Sequence, residues 1–264
     1  MTNADQKAAI RERMATTGEN YTTARRAIEM ARLKAHSEQP DSTPAEQRTR
    51  TLNERFDTVA GQLGSDKPPA VRLAAVYAMA ALADDWQDHR QMCVDVLCAC
   101  LRMPYEPEPG ENAPMEKQLA WQASREVRHT VIRVIAAHLN GTAPVSWCGL
   151  NFDFAGVVFD GGDFSGAKFS GGTVNFAGAE FSGGTVTFAG AKFSGARVNF
   201  FLAKFSGAMV GFTGAKFAGG TVDFSRVGSW MRPPDFGSGF DMSHPPAGVM
   251  PPTATRPPPD SPVP

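Results

Sequence analysis

Large apolar residues recur at a fixed step through the second half of this chain. Five consecutive twelve-residue units, residues 169–228, read FSGGTVNFAGAE, FSGGTVTFAGAK, FSGARVNFFLAK, FSGAMVGFTGAK and FAGGTVDFSRVG. Their phenylalanines are spaced by 5 and 7 alternately: Phe169, Phe176, Phe181, Phe188, Phe193, Phe200, Phe205, Phe212, Phe217 and Phe224. A valine stands two before the phenylalanine that ends each seven-residue step: Val174, Val186, Val198, Val210 and Val222. Successive side chains of an extended strand point to opposite faces. TVNF therefore reads Thr out, Val in, Asn out, Phe in, and AKF reads Ala in, Lys out, Phe in. SGG and AG fall between these runs, where glycine tolerates the positive φ that a corner needs. Such a period predicts a solenoid. The expected form is a flattened rectangular coil with two long and two short sides, two units per turn, and strands about 4.8 Å apart. The alternative is a regular twenty-residue coil with two-residue bulges. Each unit buries two Phe, one Val and usually one Ala. At about 1.5–3 kcal/mol per large apolar side chain, that offsets the ordering cost of a Gly-rich chain. In the rectangular register Lys168, Lys192 and Lys216 stack as one outward ladder, with Glu180 and Lys204 on the opposite short side.

Upstream the step is five. Phe154, Phe159, Phe164 and Phe169 follow one another at that step, and Val157, Gly162 and Ala167 stand two before the last three. This resembles the pentapeptide-repeat family, with its large central residue, small residue two before it, and polar residue between. The resemblance implies a right-handed β-helix of quadrilateral section, one pentapeptide per side. The coil is expected to begin near Trp147 and end near Arg226, with Trp230 and Phe236 or Phe240 as a lid.

The first half has helical periodicity. Residues 1–36 read as a basic helical hairpin. Its arms are ADQKAAIRERMA and TTARRAIEMARLKA, broken at TTGENY, with Thr22 or Thr23 as N-cap. Residues 7–34 carry seven basic side chains against three acidic, and Arg25 and Arg26 are candidate partner-facing residues. Residues 37–44 read as a linker. Residues 45–141 read as a helical, HEAT-like domain whose helices end at Gly64, before Pro104 and at Gly141. Val127, Val131, Ile135 and Leu139 form the apolar stripe of the last one. The run from RFDTVAGQLG through DVLCACLR and REVRHTVIRVIAAHL into the Phe repeats resembles a group of actinobacterial pentapeptide-repeat proteins. Those relatives commonly carry transmembrane helices ahead of this segment; here a polar hairpin stands in that place, so membrane anchoring is not carried over. Residues 147–228 are the expected solenoid, and 229–264 a cap and disordered Pro-rich tail. Residues 231–264 hold eleven prolines, and no packed core is expected there. The fold class is thus α plus β-solenoid.

Composition narrows the chemistry. The formal net charge is −1 over 264 residues, which gives no global attraction to nucleic acid or acidic lipid. Four cysteines do not make a disulfide scaffold. Cys93, Cys98 and Cys100 lie among Met92, Val96, Leu97 and Leu101 and read as core, as does Cys148 beside Trp147. No apolar run reaches membrane-span length, and the N-terminus lacks a signal core, so a cytoplasmic location is expected. His89, His129 and His138 have no metal-ligand spacing. Nucleotide, hydrolase and metalloprotease motifs are missing. No catalytic residue, cofactor or metal is expected.

Two partner classes compete with a scaffold that binds an unidentified protein. The family resemblance implies a DNA mimic that binds gyrase. Residues 151–228 hold five acidic groups against six basic, whereas duplex DNA carries one negative charge per ~1.7 Å; three to four coils also fall short of one ~34 Å helical turn. The basic hairpin offers a nucleic-acid contact, which is the less favoured reading.

Overall fold

The computed structural model describes residues 3–37, 43–64, 66–238 and 240–253. The chain divides into two compact units, residues 1–51 and 52–264.

In the first unit, α1 (Asn3–Thr17) and α2 (Tyr21–Ser37) form a hairpin. Ile10 and Ala24 are buried in it. The break is shorter than TTGENY suggests, because both ends are capped within it. Gly18 takes φ 71° and closes α1 through its N–H to Met14 O at 3.0 Å. The cap of α2 is Asn20, not Thr22 or Thr23: Asn20 Oδ1 accepts the Thr23 N–H at 3.0 Å. Most of the linker expected at 37–44 lies outside the described residues. Its last part is already a helix start. Thr43 and Glu46 form a reciprocal capping box, with Thr43 N–H to Glu46 Oε2 at 2.8 Å and Glu46 N–H to Thr43 Oγ1 at 3.3 Å. This opens α3 (Pro44–Gln62).

The second unit joins a helical layer to the solenoid. Proline at the first turn opens α4 (Pro69–Asp85), a mostly apolar helix that packs on α5 (Arg90–Arg102) and α6 (Met115–Asn140). Gly141, at φ 87°, ends α6. Val127, Val131, Ile135 and Leu139 are all buried on it. Cys93, Cys98 and Cys100 are buried free thiols, and burial pushes Cys93 to about 11 and Cys98 to about 12.

The coil is a four-walled parallel β-solenoid. Wall A stacks β1 (Phe152–Asp153), β5 (Thr173–Asn175), β9 (Arg197–Asn199), β13 (Thr221–Asp223) and β15 (Val249–Met250). Wall B stacks β2 (Val158–Phe159), β6 (Glu180–Phe181), β10 (Lys204–Phe205) and β14 (Ser229–Trp230). Wall C holds β3 (Gly162–Asp163), β7 (Thr185–Thr187) and β11 (Met209–Gly211); wall D holds β4 (Lys168–Phe169), β8 (Lys192–Phe193) and β12 (Lys216–Phe217). Phe169 pairs with Phe193 and Phe193 with Phe217, so one turn takes 24 residues. A and C are the long sides. The first turn is shorter. Phe159 stacks on Phe181, 22 residues on, because the side from Phe159 to Phe164 is a pentapeptide where the next turn has seven.

Inside, phenylalanines form four columns. Phe154, Phe176, Phe200 and Phe224 stack with centroids 5.2, 4.8 and 4.5 Å apart. Phe159–Phe181–Phe205, Phe164–Phe188–Phe212 and Phe169–Phe193–Phe217 run beside it. All are buried except Phe217, which is half-buried near the far end. Val174, Val198 and Val222 stack in wall A, and Val186 pairs with Val210 in wall C.

The coil does not stop at 226. Trp230, Phe236 and Phe240 each extend a phenylalanine column, meeting Phe205 at 5.0 Å, Phe212 at 5.0 Å and Phe217 at 5.6 Å. Val249 continues the valine column on Val222. Residues 229–238 and 240–253 therefore form a last, proline-rich turn: Trp230, Phe236 and Phe240 close the coil as the expected lid, while its packed core runs contrary to the expectation from composition. The prolines suit this place: a strand edge with few free N–H groups resists pairing with another chain. Residues 254–264, the rest of the expected tail, lie outside the described residues.

Candidate interaction surface

The two ends of the coil are closed differently, and this decides which walls are open. At its start, α5 lies on β1 and α6 on β3 and β4. Gln91 copies a strand there: its Oε1 accepts the Asn151 N–H and its Nε2 donates to Asn151 O, both at 2.9 Å. Arg102 pairs with Asp153. Trp147 is fully buried, stacks on His138 at 3.8 Å and donates from Nε1 to Asp84 at 2.9 Å.

The centre of this seam is Asp160. Its carboxylate accepts from Tyr105 Oη at 2.7 Å and from Arg125 Nε at 2.8 Å, and lies 2.8 Å from His129 Nε2. Burial alone raises its pKa; hydrogen bonds from His129, Tyr105 and Arg125 more than reverse that and hold it at about 2. Burial, then the hydrogen bond to Asp160, pushes the Tyr105 hydroxyl well above its ordinary value. Next to it Arg128, 5% exposed, donates to Leu101 O and Val158 O at 2.7 Å each and lies over the Tyr105 ring. A cleft of about 940 Å³ opens beside the cluster. A carboxylate held at about 2 with its oxygens occupied is a poor general base near neutrality, so this cluster fastens helices to coil. Two of the three histidines noted in the sequence serve different carboxylates, His129 meeting Asp160 and His138 meeting Asp84, while His89 stacks on Trp86.

Wall D carries the lysine ladder. Lys168 pairs in register with Lys192, and Lys192 with Lys216. All three are exposed, and among the described residues none is in an ion pair. Wall B differs, since Lys204 is matched to Glu180 at 3.7 Å. Arg25 and Arg26 belong to the other unit, exposed on α2, with Arg25 held by Glu29 at 3.1 Å. No helix of the described residues is long and apolar enough to cross a membrane.

The outward register, the inward columns and the parallel pairing belong to one repeat unit. A family model described as pentapeptide repeats (9 copies) matches residues 154–201. This segment is a pentapeptide-repeat solenoid. No curated protein and no solved structure matches the chain. Past residue 201 the coil goes on in the 24-residue register described above.

One corner of the solenoid breaks its own rule. Gly178, Gly190 and Gly214 turn between walls at φ 65°, 64° and 68°; the equivalent position in the third unit is Leu202, at φ 56°. Leu202 is 53% exposed, and its neighbour Phe201 lies exposed under the Arg226 guanidinium at 4.7 Å. The FLA in place of AGA was visible in the sequence as a departure from the repeat, although its backbone cost was not. A left-handed leucine costs about 1–2 kcal/mol, and an added glycine returns about 0.5–1 kcal/mol in lost chain entropy. Leu202→Gly is therefore expected to stabilise the chain by about 0.5–1 kcal/mol, read as a higher urea midpoint at unchanged slope. A lower midpoint would mean that Leu202 gains more from contact than it loses in strain.

Proposed function

We propose that this chain is a non-enzymatic protein-interaction scaffold, and that wall D of the solenoid docks an acidic partner. One observation carries this: Lys168, Lys192 and Lys216 stand in register on a flat wall with no carboxylate to neutralise them among the described residues. Adjacent ammonium groups one strand spacing apart repel by only about 1 kcal/mol in water, so the ladder is tolerated when free and is relieved by an acidic surface. The test uses a labelled polyglutamate peptide and fluorescence anisotropy. Binding is expected at low salt and should weaken as salt shortens the screening length. K168E/K192E/K216E should abolish it, because the substitutions touch no inward residue. Equal binding by the triple variant would refute the docking face.

A gyrase-binding DNA mimic is disfavoured by where the acidic groups sit. Of the five between residues 151 and 228, Asp153 pairs with Arg102, Asp160 with Arg125 and Glu180 with Lys204, and in the last turn Asp241 pairs with His244. That leaves too little outward negative charge to imitate a phosphate backbone. No inhibition of DNA supercoiling is expected at micromolar protein; clear inhibition in that assay would reverse the assignment.

A further inference from the structure

The helical layer contains a second site, separate from the lysine ladder. Where the start of α4, the end of α5 and the middle of α6 converge there is a cavity of about 310 Å³. Its walls include Lys67, Arg72, Arg128, Ser124 and Cys100, and no aspartate or glutamate. Arg128 is accounted for by the two carbonyls it holds. Arg72 is not. Its Nε is shielded from solvent and has no acceptor among the described residues. The Ser124 hydroxyl likewise has no partner among them. Lys67 is tied only to exposed Asp66, at 2.8 Å. The first turn of α4 has no side-chain cap, and this adds the positive end of a helix to the same wall.

Two guanidinium groups thus face one cavity whose lining holds no carboxylate, and a shielded N–H has no acceptor among the described residues. Leaving such donors unmatched is costly. Their charges are felt locally: burial lowers Arg128, Tyr105 and Asp160 pull it back up and Arg72 lowers it again, while the Cys100 thiol, raised by burial, is drawn back by Arg72. We propose that this cavity binds a small phosphate-bearing ligand. A carboxylate offers one charge and two oxygens. A phosphate offers close to two charges and three acceptor oxygens, which suits donors arriving from α4, α6 and the segment before α4. The volume lies at the lower end of small-molecule sites, and Pro69, Met103, Pro104 and Ala120 supply an apolar wall for the carbon part.

The test is calorimetric titration of the full chain with inorganic phosphate and with glycerol 3-phosphate, in chloride-matched buffer. One saturable site is expected, with Kd near or below about 1 mM. Glycerol 3-phosphate should bind more tightly if the ligand is an organic phosphate; equal or weaker binding would assign the site to free phosphate. Arg72→Met should weaken both by about tenfold or more, the effect of losing one hydrogen bond to a charged group. Should that variant fail to fold by circular dichroism, Lys67→Ala should weaken both by a smaller factor. R25A/R26A, on the other unit, should bind as the parent does. Absence of saturable binding overturns the proposal, as do unchanged affinity in Arg72→Met (or, where that variant does not fold, in Lys67→Ala) and loss of binding in R25A/R26A.

Discussion

Phe200→Ala is expected to cost about 3–5 kcal/mol, the range for deleting a core phenylalanine. Phe200 is 1% exposed and sits mid-column between Phe176 at 4.8 Å and Phe224 at 4.5 Å. It also meets the edge of the next column at Phe205, 5.7 Å away. Close-packed interiors relax only partly around a missing ring. Here both neighbours are fixed by parallel strands above and below, so collapse is restricted to the coil axis. Urea unfolding of Phe200→Ala and of Phe205→Ala, the equivalent residue of the adjoining wall, measures the loss. A change under about 1 kcal/mol at both would contradict the columnar core.

Asp160→Asn is expected to remove about 2–3 kcal/mol, since the carboxylate's pKa is held from 3.8 down to about 2 and each unit is worth about 1.4 kcal/mol. A depressed carboxyl pKa stabilises the fold when ionised. This contribution is therefore complete above pH 3.8 and disappears as pH falls from 3.8 towards about 2. Stability measured against pH should show an acid limb in that window for the parent, reduced in Asp160→Asn. Because the residue ties α6 to the coil, the variant should also expose the Trp121 and Tyr105 region earlier to proteolysis. Equal acid limbs in the two proteins would show that the seam does not depend on this charge.

The solenoid was legible because its signal is repeated. One misplaced register would have turned ten phenylalanines outward together, so Phe169 to Phe224 could be read without structure. The alternation of five and seven favoured a rectangular turn over a square one with bulges, and the 24-residue pairing decides for the rectangle. The ends of the coil were harder. Trp230, Phe236, Phe240 and Val249 follow the columns at steps of 25, 24, 23 and 27 residues from Phe205, Phe212, Phe217 and Val222. No strict period survives there; Trp230 with Phe236 or Phe240 could be offered as a lid, but Val249 could not, and the prolines between them looked like a structureless tail. The seam was illegible for a different reason. Asp160 is joined to Tyr105, Arg125 and His129 across 55, 35 and 31 residues, and no spacing rule links residues at such separations. Arg72 and Arg128 likewise meet only because three helices converge. Local rules did find the proline start of α4 and the glycine stop of α6. They missed Asn20 because two threonines after it looked equally able to cap.

The twelve-residue unit is half a turn of the rod, and the two halves are nearly interchangeable inside. Gain or loss of one unit through gene duplication would leave Phe on Phe and Val on Val. Outside, everything downstream would revolve to the opposite side. The Lys216 position would then stand over the wall of Glu180 and Lys204, and the ladder would be broken. Two units together would restore every face and lengthen the ladder by one lysine. Descendants of this sequence can therefore change length in single units without harming the core, but only even steps keep the surface, and the parity of the repeat count becomes a record of whether that surface has been under selection.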